Sequence, residues 1–249
     1  MIGAKGKPWG LFATMAFSYF YVCALFASLF GVFWLIYLDE KAYSTRLDIF
    51  DFFDLLPSKM AITMVFAQFV FSLVIAITVP IFVFLRKGIS LKEYLSFKSV
   101  PSRQYSVWLL SIALFQFSIV VLAQFIKLDP FLDEKSMTMA FKELFKPDYT
   151  TSFLYFIFIV LAPVFEEIVF RGFLFKGLRE SKAGKWGAII TTTVLFAVIH
   201  IFNAIPILVV GFLLGLAREK TGSIYVPIAM HMLNNSIACG LIYYIVHFG

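Results

Sequence analysis

The chain has 249 residues, 61% of them hydrophobic and 32 of them Phe, with a mean hydropathy of +0.90 and only 14% charged residues. A soluble domain of this length needs a more polar surface, so composition excludes that class and leaves a polytopic membrane protein. The formal net charge of +6 follows from where the loops fall and calls for no nucleic-acid partner.

Apolar segments run at about residues 11–37, 60–85, 105–125, 150–178, 186–201, 206–217 and 224–246. Most reach the ~20 residues that a spanning helix needs. The expected fold is all-α, a transmembrane helix bundle of about seven to eight membrane helices with a short hairpin near 186–217. The first segment is much longer than the roughly 7–15 residues of a signal-peptide core, so it is read as a span. Cys23 and Cys239 both lie in apolar runs and are read as packing residues.

Three organisational units are expected. Residues 1–125 hold three nearly uncharged spans that read as scaffold helices facing lipid. Between the second and third, "RKGISLKEYLSFKSVPSRQ" is basic and amphipathic and is placed on the inner membrane surface. Residues 126–149 form an outer loop, where "MTMAFKELFKPDYT" reads as an interfacial helix. Residues 150–249 form the core that carries chemistry. With the N-terminus in the cytoplasm, Lys5, Lys7, the basic residues of 86–104 and 176–185, Arg218 and Lys220 all fall on the inner side. This is the majority of the Lys and Arg residues, as the positive-inside rule requires.

From residue 150 the spans become polar at depth, and ionisable groups there mark a functional site by default. The 16 residues of 186–201 and the 12 of 206–217 give about 24 and 18 Å of helix, too little for the second to cross a core of about 30 Å. The turn "HIFNAIP" is therefore expected within the membrane, lining a wet chamber with His200 near its tip.

Three constellations stand out. In "EEIVFR", Glu167 and Arg171 are four residues apart and share a helix face, whereas Glu166 lies roughly 140° round from Arg171. One carboxylate is neutralised locally and its neighbour is free to face a cavity as a general base. The bland reading is a buried ion network that ties spans together. In "FAVIH", Phe196 and His200 lie one turn apart, so the ring can pack beneath the imidazole. In "HMLNN", His231 and Asn235 share a face and aim two donors into one space, as an oxyanion site requires. The bland reading is a polar clasp between helices, and spacing does not choose between Asn234 and Asn235. A carboxylate, two imidazoles and an amide on three spans suit hydrolysis of a peptide bond, a proton-coupled transporter or a metal site.

Glu166-Glu167-x-x-x-Arg171, Phe196-x-x-x-His200 and His231-x-x-x-Asn235 together resemble the successive motifs of the CPBP (CAAX protease and bacteriocin-processing, or Abi) intramembrane proteases, which include the type II CAAX prenyl endopeptidases. The resemblance covers about residues 150–240. It implies an intramembrane endopeptidase, multi-pass in a bacterial-type cell membrane, that acts on a membrane-anchored protein or peptide. By carry-over Glu166 activates water, His200 binds and orients it, and His231 with Asn235 stabilises the oxyanion. Glu167 and Arg171 serve as structural support. Members are often labelled metalloproteases, and metal-free mechanisms are also proposed for them. No Glu follows any histidine here, so there is no HExxH motif. A zinc ion on Glu166, His200 and His231 is compatible by ligand type, but the expectation is that no cofactor is required. The alternatives are a non-catalytic bacteriocin-immunity or scaffold protein and, with no internal repeat to support it, a proton-coupled transporter.

Overall fold

Backbone N–H and C=O groups at bilayer depth must be satisfied within the chain, and a helix does this locally. Every regular element among the described residues is helical. A computed structural model of the chain describes residues 8–43, 49–86, 88–126, 149–200 and 204–248. These described residues form eight helices: α1 (Leu11–Tyr43), α2 (Ile49–Leu85), α3 (Leu91–Leu95), α4 (Ser102–Ile126), a composite α5 over residues 149–179, α6 (Gly184–Val198), α7 (Ala204–Thr221) and α8 (Tyr225–Phe248). The all-α bundle expected from the apolar segments is therefore present. The outer loop with its expected interfacial helix, and residues 201–203 of the expected turn, lie outside the described residues.

Among the described residues, three stretches are long and apolar enough to cross a membrane: Leu11–Asp39, Phe66–Leu85 and Ser102–Leu122. Their outer faces leave Phe12, Phe30, Ile77, Phe84 and Phe117 exposed, a surface that water would penalise and lipid tails would not. Cys23 belongs to this outer surface rather than to the packed interior, whereas Cys239 is buried as expected.

α7 is longer than its apolar run, because Arg218–Thr221 continue the helix and hydropathy alone ends it too early. Its 18 residues measure about 27 Å, where the apolar run alone gives about 18 Å. α6 packs along it as the second arm of the hairpin.

α5 is α-helical at both ends and in the middle, with π-helical turns at Ile157–Leu161 and Ile168–Leu174. The first π-turn precedes Pro163, whose ring cannot coexist with a regular turn before it. Ala162 N–H accordingly reaches back to Ile157 O. Phe170, Phe173 and Phe175 on this helix are buried with Phe71, Ile75 and Phe196, and they form the principal core.

Two expectations about the inner loops change. α3 opens with a capping box formed by Ser90 and Glu93, but its apolar residues Tyr94 and Leu95 are buried in the protein, with Tyr94 stacked on Phe173 at 5.4 Å. The amphipathic stretch thus spends its apolar face on the bundle core, not on the membrane surface. Arg218, counted from the sequence among the inner-side cations, is 5% exposed. Its Nε donates to Arg171 O at 2.8 Å and its Nη2 to Ser96 Oγ at 2.6 Å.

α1 meets the C-terminal turn of α5 through Gly177, where an added Cβ would lie 2.1 Å from Thr14 Oγ1 and 3.0 Å from Thr14 Cβ. Gly177→Ala is expected to destabilise the fold by about 1–3 kcal/mol through overpacking, read as a lower Tm in detergent. The pair Thr14→Ala/Gly177→Ala should recover part of the loss.

Candidate active site

Charge inside the bundle is tolerable only where partners replace water. Arg171 is fully buried and answers this in three directions. Nη1 donates to Glu167 Oε1 at 3.0 Å, Nη2 donates to Gly211 O at 3.0 Å, and the guanidinium lies 4.5 Å over the Phe196 ring. Gly211 permits the approach, since a Cβ there would stand 3.4 Å from Nη2 and from the Phe196 ring. The i, i+4 pairing read from the sequence holds through the π-turn.

Glu167 has a second partner that the sequence did not reveal. His231 Nδ1 donates to the same Oε1 at 3.0 Å. The carboxylate beside Arg171 is an acceptor, which assigns the hydrogen to Nδ1. In the neutral ring, Nε2 therefore carries a lone pair, and it faces Glu166 Oε2 at 3.9 Å. His200 reaches the same state by another route. Its Nδ1 lies 2.7 Å from Phe196 O, a group that only accepts, and its Nε2 faces Glu166 Oε2 at 3.8 Å. Phe196 packs against both rings, at 4.5 Å from His200 and 5.4 Å from His231. Glu166, His200 and His231 thus share one space. Both separations are too long for direct hydrogen bonds and suit a bridging group.

Asn235 stands one turn beyond His231 on α8, and its recorded bonds lie elsewhere. Its Nδ2 donates to Phe158 O at 2.9 Å, and its Oδ1 accepts from Asn234 Nδ2 at 3.2 Å. Phe158 O is an acceptor without a backbone donor. The π-turn sends Ala162 N–H to Ile157 O, and Pro163 has no N–H to offer. Asn234 is tied in turn to α4, accepting from Gln116 Nε2 at 2.6 Å.

Gln68 of α2 completes the surroundings. Its side chain sits against the Glu166 carboxylate, and its Nε2 is buried without a hydrogen-bond partner. Sequence reading looked for polar groups only from residue 150 onward and passed over Gln68 and Gln116. Each is an amide within an apolar stretch, Gln68 in Phe66-Ala67-Gln68-Phe69 and Gln116 in Phe115-Gln116-Phe117, and that setting was the available signal.

Zinc bound tetrahedrally at about 2.0–2.2 Å holds neighbouring ligand atoms about 3.4 Å apart. Glu166 Oε2 stands 3.8 and 3.9 Å from the two Nε2 atoms, and no group of three or more His, Cys, Asp or Glu among the described residues forms a ligand set. The donor types match zinc, but the spacing of these side chains does not.

A helical bundle that crosses a membrane and holds a carboxylate and two imidazoles at depth defines an integral membrane protein with an internal polar site. Residues 148–237 match the family model of the Rce1-like type II CAAX prenyl endopeptidases, so this part of the chain carries a domain of that family. The UPF0177 protein YbdI of Lactococcus lactis subsp. lactis (strain IL1403) is 30% identical over 127 residues, which is 49% of this chain. The match spans 66% of that relative's length. No solved structure matches the chain.

Arg171→Met leaves Glu167 buried without its cation and is expected to cost about 3–5 kcal/mol, measured by denaturant unfolding in micelles. Glu167→Gln/Arg171→Met should cost less than Arg171→Met alone, because no uncompensated charge remains.

Proposed function

We propose that the protein is an intramembrane endopeptidase that hydrolyses a peptide bond of a membrane-anchored protein or peptide with water activated by Glu166. One observation carries this reading: Glu166 Oε2 faces the Nε2 atoms of His200 and His231 at 3.8 and 3.9 Å, while both Nδ1 atoms are engaged elsewhere. A carboxylate and two lone pairs are all acceptors. A water molecule between them donates to two of these three acceptors at a time.

In the proposed reaction Glu166 takes a proton from that water and the oxygen adds to the scissile carbonyl carbon. The same proton then passes from Glu166 to the departing amide nitrogen, giving a carboxylic acid and an amine. His200 holds the water through Nε2, its ring fixed by Phe196. Glu167 pins one proton on His231 Nδ1, so a ring that is neutral at rest becomes cationic when, with substrate bound, Nε2 takes a proton from solvent, and it then aims an N–H at the space shared with Glu166. His231 in this form, with the second amide hydrogen of Asn235, would stabilise the oxyanion. The first amide hydrogen is committed to Phe158 O. No step is routed through a metal. The distribution of Lys and Arg supports a cytoplasmic N-terminus, and the family resemblance implies a site open towards the inner face of a bacterial-type membrane.

Glu166→Gln is expected to lower turnover about 10²–10⁴-fold while leaving the chain folded, measured as cleavage of a fluorogenic prenylated CAAX peptide. His200→Ala and His231→Ala should be comparably impaired, and full turnover by any of the three would remove that residue from the mechanism. EDTA-treated enzyme should keep its activity. A loss that zinc alone restores would overturn the metal-free route.

A further inference from the structure

The N-terminal spans reach the reaction centre through one side chain. Gln68 lies in Phe66–Leu85, a stretch of mean hydropathy 2.5 in which an amide is costly unless it is bonded. Its Nε2 is buried and unpartnered, yet its side chain sits against the Glu166 carboxylate. The other polar atoms facing that carboxylate are the Nε2 atoms of His200 and His231. With each Nδ1 hydrogen engaged, the neutral rings present only lone pairs to Glu166. Two acceptors cannot orient a third.

We propose, on the reading that Glu166 activates water, that Gln68 is a positioning residue whose Nε2–H holds one oxygen of the Glu166 carboxylate and so aims the other at the water. The pair stands close to, but outside, good hydrogen-bond geometry here. Contacts of this kind are commonly long in the substrate-free enzyme and tighten when substrate is bound. An unsatisfied buried donor lowers stability, and the orientation it imposes on the reacting carboxylate gives this one a use. α2 is then part of the machinery rather than a scaffold.

The test uses the purified full chain in detergent and a fluorogenic prenylated CAAX peptide. Gln68→Met keeps length and volume and removes the donor. Its kcat is expected to fall about 10²-fold with KM unchanged, the cost of a misaimed catalytic group. Its Tm should equal or exceed that of the wild type, because an unpaired buried donor has been removed. Unchanged kcat, or a fall in Tm with normal turnover per folded molecule, overturns the proposal. A second measurement does not depend on turnover. The Gln68 side-chain amide resonance, assigned by its loss in Gln68→Met, should move in Glu166→Ala; coincident resonances overturn the pairing. Should the wild-type chain leave the peptide uncut, the protease reading loses this substrate class and the amide resonance alone decides the role of Gln68.

Discussion

One oxygen atom organises the interior of this protein. Glu167 Oε1 accepts from Arg171 on its own helix and from His231 on α8, both at 3.0 Å. Three groups that would each be expensive in a bilayer become a bonded set, and the set joins α5 to α8. It also has a chemical result. By fixing the hydrogen on His231 Nδ1, the pair decides which ring nitrogen turns to Glu166. Structural support and the tautomer of His231 are therefore properties of the same interaction, and Glu167 does more than hold Arg171.

A second constraint acts through the backbone. Pro163 and the π-turn before it leave Phe158 O without a donor, and Asn235 supplies one. The same amide is braced by Asn234, which Gln116 anchors to α4. Glu166 follows Pro163 by three residues, so the defect that frees the carbonyl also sets where the carboxylate emerges. π-turns of this kind recur at functional positions, and here the reason is visible: the irregularity creates an acceptor that only a neighbouring helix can satisfy.

The membrane class, the seven apolar elements and the i, i+4 faces were legible because each depends on local pattern alone. Glu167 meeting Arg171, Glu166 turning away from them and Phe196 lying under His200 needed only the helical period. What was not legible depends on two elements meeting. Nothing near Glu167 names His231, and nothing near Asn235 names the carbonyl of Phe158. Gln68 and Gln116 read as incidental amides until α2 and α4 are docked. Charge misled once: Arg218 follows an apolar run and looks solvated, yet the backbone of α5 and the α3 loop together enclose it. A π-turn also adds about one residue, or roughly 100°, to the helical count, so wheel arguments across all of 149–179 lose phase where short ones do not.

Arg218 has a mechanical consequence. Its guanidinium bonds the carbonyl of Arg171 through one nitrogen and the hydroxyl of Ser96 through another, while Ser96 O accepts from Ile224 N at 3.1 Å. Ser96 itself sits at a left-handed φ of 59°, so its orientation is narrowly set. The segment between α3 and α4, the start of α8 and the backbone of α5 at Arg171 are thereby joined through one cation. A load on any one of these segments is therefore shared with α5, the helix that carries Glu166.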